Sequence, residues 1–245
     1  TKKFINSEHT IHTIGRSSHF TKSDLPANCQ HHCCDLANDP IPEGIFRGAD
    51  LIFHIAAKAG VWGKYTDFYS SNVTATRNIL SACKKYRINK LIYTSTPSVV
   101  FSGQPIVNGS ESLPYGNSGL SAYAETKTIA EREILEANES QKLQTIALRP
   151  HLIWGEGDPH LLPRVINRHK KGRLRIVGEG RNTVDLTHVD NVVHAHICAM
   201  ESMVNNTSLG GKAYFIGQDE PVNLWDWLNK IFMMLDLPRL TKKIP

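Results

Sequence analysis

Tyr123 and Lys127 lie four residues apart in Tyr123-Ala-Glu-Thr-Lys127. On a helix that spacing puts a phenol and an ammonium on one face. A free phenol ionises near pH ~10, and a neighbouring ammonium favours the phenolate and is expected to bring that value down. A tyrosine tuned in this way can pass a proton to or from a carbinol oxygen. The same pair also occurs on amphipathic helices as a plain surface contact, so the spacing alone does not establish chemistry. Its context adds weight. Hydroxyls at Thr94, Ser95 and Thr96 close the apolar run that starts at Lys90, and a glycine-rich loop follows Arg149-Pro150. A reacting alcohol or carbonyl could be held where such groups meet.

A second cluster is Cys29-Gln-His-His-Cys-Cys34. Thiolates and imidazoles are the donors of structural zinc sites. If residues 30–34 form a strand, however, His31 and His32 point to opposite faces, as do Cys33 and Cys34. No second Cys/His pair stands at ligand spacing elsewhere, so no metal site is expected. Asp35, at the carboxyl end of that strand, is the more informative residue, because open α/β sheets bind ligands at those ends.

The elements that would position these groups follow a regular beat. Strands are expected from His9 into the turn at Gly15, over 30–34, from Ala49, from Lys90 and from Leu143. Helices are expected from Phe68 through Tyr86 and from Ser121 through Asn138. Strands separated by helices predict a doubly wound α/β fold with a parallel sheet. After Pro150 the beat loosens into glycine-rich loops and two helical stretches, near 189–203 and 222–235. The expected organisation is therefore a dinucleotide-type domain over 1–150 and a smaller lid over 151–245 with segments returning to the sheet.

Bulk properties bound the function. The 245 residues are 40% hydrophobic and 21% charged, and five cysteines do not make a disulfide framework. No apolar run approaches the ~18 residues of a membrane span, and the polar start lacks the apolar stretch of a signal peptide. A reducing cytoplasm is the expected location. The net charge of +5 is dispersed apart from RHKKGRLR at 168–175. That run is read as a solvated helix end rather than a nucleic-acid or membrane patch.

The ordered set Asp35-Leu36, His54-Ile-Ala-Ala57, Asn72 to Thr76, Tyr93-Thr-Ser-Thr96, Tyr123-x-x-x-Lys127, Arg149-Pro150, Trp154 to Asp158 and His188-Val-Asp-Asn191 resembles the extended short-chain dehydrogenase/reductases. Within them it is most similar to the 3β-hydroxysteroid dehydrogenase/isomerase branch. The resemblance covers nearly the whole chain. It implies a Rossmann-type NAD(P) domain, a small substrate lid, and hydride transfer at a hydrophobic secondary alcohol or ketone, sterol-like or β-hydroxy/β-keto acyl. By position it implies Tyr123 as acid/base, Lys127 as its electrostatic partner and ribose contact, and Thr96 as the hydroxyl that orients the substrate oxygen. Asp35 and Leu36 would flank the adenine, Ala56, Ala57 and Ser95 would line the cofactor, and Pro150 would lie near the nicotinamide. It leaves room for a homodimer built on the helices bearing Asn72 and Tyr123. Asn72 itself is read as structural or as a backbone clip, and His54 as a satisfied core histidine. Trp62 and Trp154 are candidates to line an apolar pocket.

The chain departs from the family at its start. The Gly-x-x-Gly-x-x-Gly turn that cradles a pyrophosphate is absent, and a fragment or a chain that has lost cofactor binding would both explain this. The turn Gly15-Arg16-Ser17-Ser18 carries no carboxylate for a ribose 2′-hydroxyl, whereas Arg16 offers a multidonor fork to a 2′-phosphate and Ser17 a hydroxyl. NADP is therefore the expected cofactor, with NAD as the alternative. Two rival functions stay open. A nucleotide-sugar epimerase or dehydratase would show affinity for UDP- or GDP-sugars. A non-catalytic sensor or scaffold would be indifferent to loss of the Tyr123 hydroxyl.

Overall fold

The computed structural model describes residues 2–4, 7–18, 25–60, 62–116, 119, 121–139, 142–158, 161–205, 207–218 and 220–245. Two parallel strands come first, β1 (Ile11–Gly15) and β2 (Cys29–Cys33), with Ile11 opposite Cys29 and Gly15 opposite Cys33. β2 begins and ends one residue earlier than the apolar pattern suggests. The alternation of faces holds all the same. His31 accepts at Nδ1 from the Thr13 hydroxyl (3.0 Å) and donates from Nε2 to the Ser17 carbonyl (2.8 Å), while His32 on the other face meets His12 at 2.9 Å.

A second sheet has the order β10-β5-β4-β3, built from β3 (Ile52–His54), β4 (Lys90–Thr94), β5 (Gln144–Pro150) and β10 (Lys212–Ile216). β3 and β4 run parallel, with His54 opposite Tyr93. β5 is buried along its whole length, as an inner strand covered on both faces must be. The strand expected from Ala49 is shorter than its apolar run, because residues 55–60 leave the ladder as an open loop.

The connection from β3 to β4 is helical but not uniform. α2 (Tyr65–Tyr69) passes through a π-helical turn, Ser70–Thr74, into α3 (Ala75–Tyr86). Ile79, Ala82 and Cys83 face the core. α3 stops at Arg87 (φ 57°), where the Ile88 N–H reaches the Cys83 carbonyl at 2.9 Å, a left-handed helix stop. α4 (Ala122–Glu136) links β4 to β5, and its first turn is capped by the Ser121 hydroxyl, which accepts from the Ala124 N–H at 3.1 Å. Ala130 and Ile134 on α4 are completely buried, the latter contributing about 2 kcal/mol by removal from water. The same buried face carries Lys127 and Glu131, residue types seldom enclosed without a partner. On the outer side Arg77 grips Glu133 through Nε (3.0 and 3.1 Å) and Nη2 (2.6 Å).

The chain forms two compact units, residues 1–147 with 199–213, and residues 148–198 with 214–245. The second holds three short strand pairs: β6 (Ile153–Trp154) with β9 (Thr187–His188), β7 (Ile176–Val177) with β12 (Lys243–Ile244), and β8 (Thr183–Val184) with β11 (Val222–Asn223). Its core gathers Ile176, Trp225, Leu228, Phe232 and Leu240 around α7 (Leu224–Met234). The His169 ring stacks on Phe232 at 3.9 Å. His169 belongs to α5 (Leu161–Lys170), whose basic last turn Arg168–Lys170 is the helix end read from the charge run, although the pattern did not mark the helix that leads to it. The helix expected near 189–203 is α6 (Val189–Asn205), which crosses from one unit to the other. No helix among the described residues is long and apolar enough to cross a membrane.

Candidate active site

β4 ends by presenting three hydroxyl residues in a row. Thr96, in extended backbone, caps the short turn Pro97–Val100: its Oγ1 accepts from the Ser98 N–H at 3.3 Å and donates to the Ser98 hydroxyl at 3.2 Å. The Thr96 hydroxyl also stands near the Tyr123 phenol and favours its ionised form. Ser95 is buried, and its hydroxyl has no hydrogen-bond partner among the described residues. A buried orphan of this kind is uncommon in a folded chain and points to an occupant the site is built to receive.

Lys127 is enclosed behind this edge, only 1% exposed. Its Nζ donates to the Thr94 carbonyl at 2.7 Å and stands 4.1 Å from the centre of the Tyr93 ring. Burial lowers the lysine to about 7, an effect opposed by Glu131. The expected lowering of the Tyr123 phenol is not what the structure shows. Burial pushes that phenol up, and Thr96 opposes the rise.

Around this pair is a dry polar scaffold. Asn72, 1% exposed, clips the loop after β3: its Oδ1 accepts from the Lys58 N–H at 2.7 Å, and its Nδ2 donates to the Lys58 carbonyl at 3.2 Å and to the Thr126 hydroxyl at 3.0 Å. This is the backbone-clip reading of Asn72, delivered by the π-turn. Thr76 donates to the Asn72 carbonyl at 2.6 Å, so the 2.8 Å contact with His54 has the imidazole Nε2 donating to Thr76 Oγ1. Burial, reinforced by Lys127, lowers His54 to about 3, which fixes it as a neutral core histidine. Changing Asn72 to Ala strands both Lys58 backbone groups. Urea unfolding should show a loss of about 1–3 kcal/mol, and an unchanged midpoint would count against the clip.

A cavity of about 150 Å³ opens at the carboxyl ends of β1, β2 and β3. Arg16, Asp35, Leu36, Ala56 and Ala57 all line it. Asp35 spends its carboxylate on its own turn, accepting from the Ala37 N–H at 2.9 Å and from Asn38 Nδ2 at 3.2 Å. These bonds, the Ala37 N–H foremost, and the positive charge of Arg16 hold its pKa below the usual range. Ser17 lies beside this cavity rather than in its lining. Pro150 is buried at the end of β5 in the second unit. Ser71 and Ala75 also line the cavity; Ala75 falls within the run Asn72 to Thr76 without a role assigned to it, and nothing in the sequence marked Ser71. Tyr93 and Glu131 were passed over as well, although a glutamate one turn after Lys127 was a signal that could have been read. Trp62 is 90% exposed, and Trp154 meets the His188 and Trp227 rings edge-on at 4.9 and 5.4 Å.

Residues 3–244 match the model of the 3-beta hydroxysteroid dehydrogenase/isomerase family. The chain is 44% identical over 218 residues to the 2-alkyl-3-oxoalkanoate reductase of Shewanella oneidensis, an overlap of 86% of the chain and 56% of that protein. It is 41% identical over 201 residues to the decarboxylating sterol-4-alpha-carboxylate 3-dehydrogenase of Bos taurus, covering 81% of the chain and 56% of the relative. The chain thus spans little more than half the length of these two relatives. Among solved structures, UDP-glucuronic acid 4-epimerase from Bacillus cereus in complex with NAD superposes with a TM-score of 0.81 at 23% identity, over 98% of this chain and 80% of that one. That likeness establishes the Rossmann-type fold. The chain belongs to the 3-beta hydroxysteroid dehydrogenase/isomerase family of extended short-chain dehydrogenase/reductases.

Proposed function

We propose that the chain carries the nicotinamide-binding and proton-transfer machinery of an oxidoreductase acting on a hydrophobic secondary alcohol or ketone. The reading rests above all on Thr96 standing close enough to Tyr123 to favour its phenolate, with Lys127 buried one helical turn away. When bound, a nicotinamide dinucleotide gives or takes the hydride at the carbinol carbon. Tyr123 exchanges the proton of the carbinol oxygen, Thr96 orients that oxygen, and the charge of Lys127 favours the phenolate and meets the ribose. Asp35, Leu36, Ala56 and Ala57 would border the adenine end, and Ser95 would offer its orphaned hydroxyl. The small side chains Ala56 and Ala57 suit a close-fitting planar base. Reductase and sterol dehydrogenase relatives favour a β-keto or β-hydroxy acyl compound, or a sterol, over a sugar nucleotide.

Arg16 and Ser17 would select NADPH over NADH. Arg16 lines the cavity mouth with its guanidinium exposed, while the one carboxylate of that lining, Asp35, is engaged by its own turn. Titration with each dinucleotide, read by energy transfer from tryptophan, tests the whole reading. Arg16→Ala should weaken NADPH by about 10–100-fold, the worth of a charge-assisted phosphate contact, and leave NADH nearly unchanged. Equal weakening of both would remove the 2′-phosphate role, and binding of neither by the parent chain would count against the cofactor reading itself.

A further inference from the structure

Glu131 is an ionisable side chain on α4 for which the proposed chemistry has no use. It follows Lys127 by one helical turn on the same face, and the two are 0% and 1% exposed. Enclosing either charge alone would be expensive. The groups that face Lys127 can be named element by element. β4 supplies the Tyr93 ring face at 4.1 Å and the Thr94 carbonyl at 2.7 Å. β3 supplies His54, held neutral by burial. α4 itself supplies Tyr123 and Glu131. His54, being neutral, puts no charge against the ammonium, and the one side chain among the described residues whose charge acts on Lys127 is Glu131, which favours the ammonium. Glu131 also acts on the buried Tyr93 phenol, whose oxygen has no hydrogen-bond partner among the described residues. Its carboxylate is therefore within electrostatic reach of both Lys127 and the Tyr93 phenol, one helical turn along the same buried face.

We propose that Glu131 is a positioning residue whose carboxylate is the buried counter-charge that keeps Lys127 an ammonium behind Tyr123. Its importance for catalysis rests on the reading of Tyr123 and Lys127 given above, but the charge coupling itself does not. Glu131 would touch neither substrate nor dinucleotide. It would act on the acid/base tyrosine only through the lysine, with the Tyr93 ring closing the other side of the enclosure.

The decisive measurement is the titration of Lys127 in the full chain with no nicotinamide or substrate present. It is followed by NMR of protein carrying isotope-labelled lysine, the resonance being assigned with Lys127→Arg. In Glu131→Gln the titration midpoint should fall by about one pH unit or more, and in Glu131→Asp it should return toward the parent. An unchanged midpoint in a folded Glu131→Gln protein overturns the proposal. If Glu131→Gln does not fold, the double variant Lys127→Met/Glu131→Gln decides. Recovery of folding once the lysine is gone supports the counter-charge role, and continued failure to fold shows that Glu131 is needed for another reason. Because the readout needs no turnover, a failure of the acid/base assignment and a failure of this proposal are separate results.

Discussion

Tyr123→Phe should lower turnover by about 10²- to 10⁴-fold, the usual worth of a positioned general acid or base, and leave dinucleotide affinity unchanged. Phe keeps the ring and its half-buried seat on α4 and removes only the O–H. The Thr96 hydroxyl retains Ser98, so the local turn should persist. The variant thus separates proton exchange from architecture. Turnover is read by nicotinamide absorbance with a β-keto acyl or sterol-type substrate, and binding by energy transfer from tryptophan. A rate within twofold of the parent would remove Tyr123 from the chemistry, and a parallel loss of binding would point to a structural role.

The second large effect concerns stability against pH. Lys127 has a folded-state pKa of about 7, lowered from 10.5, with burial as the dominant cause. For a base whose folded value is depressed, the unfolded chain binds more protons between the two values. Stability therefore rises as pH climbs from about 7 to 10.5, by at most ~1.4 kcal/mol per unit. In Lys127→Met the buried charge is gone and this contribution should vanish. Urea unfolding of parent and variant at pH 7, 8 and 9 supplies the test, with the slope of their difference as the observable. Parallel curves would show that the lysine is no less protonated in the fold than in the unfolded chain. Only the difference is diagnostic, since other groups titrate in both proteins.

How far the fold could be read in advance depended on how local its causes are. Strands β4 and β5 are dense apolar runs bounded by polar turns, and they appear where the pattern puts them. Thr96, Tyr123 and Lys127 meet because a strand end and the next helix of an α/β unit must deliver their residues to one edge. Asp35 was legible from its place at a strand end, whereas Leu36, Ala56 and Ala57 were singled out by the family resemblance. The π-turn was not legible, because an extra residue in a helical turn leaves no mark in composition, and Ser71 within it went unmarked. The direction of the Tyr123 shift was misjudged because spacing reports that two groups share a face and says nothing of how dry that face is. α5 escaped notice because its partners, including Phe232, come from much later in the chain.

Residues on either side of the π-turn at Ser70–Thr74 do not share one helical wheel. An ideal α-helix advances about 100° per residue, and the wider turn takes up one extra residue, so drawing it into regular α-helix at the same length would turn Tyr65–Tyr69 by roughly that angle. Phe68, almost fully enclosed, would swing out of its seat, and Asn72 would no longer meet both backbone groups of Lys58. The wide turn thus sets which side of the helix ahead of it reaches the core, and it is what lets Phe68 and Asn72 keep their seats together.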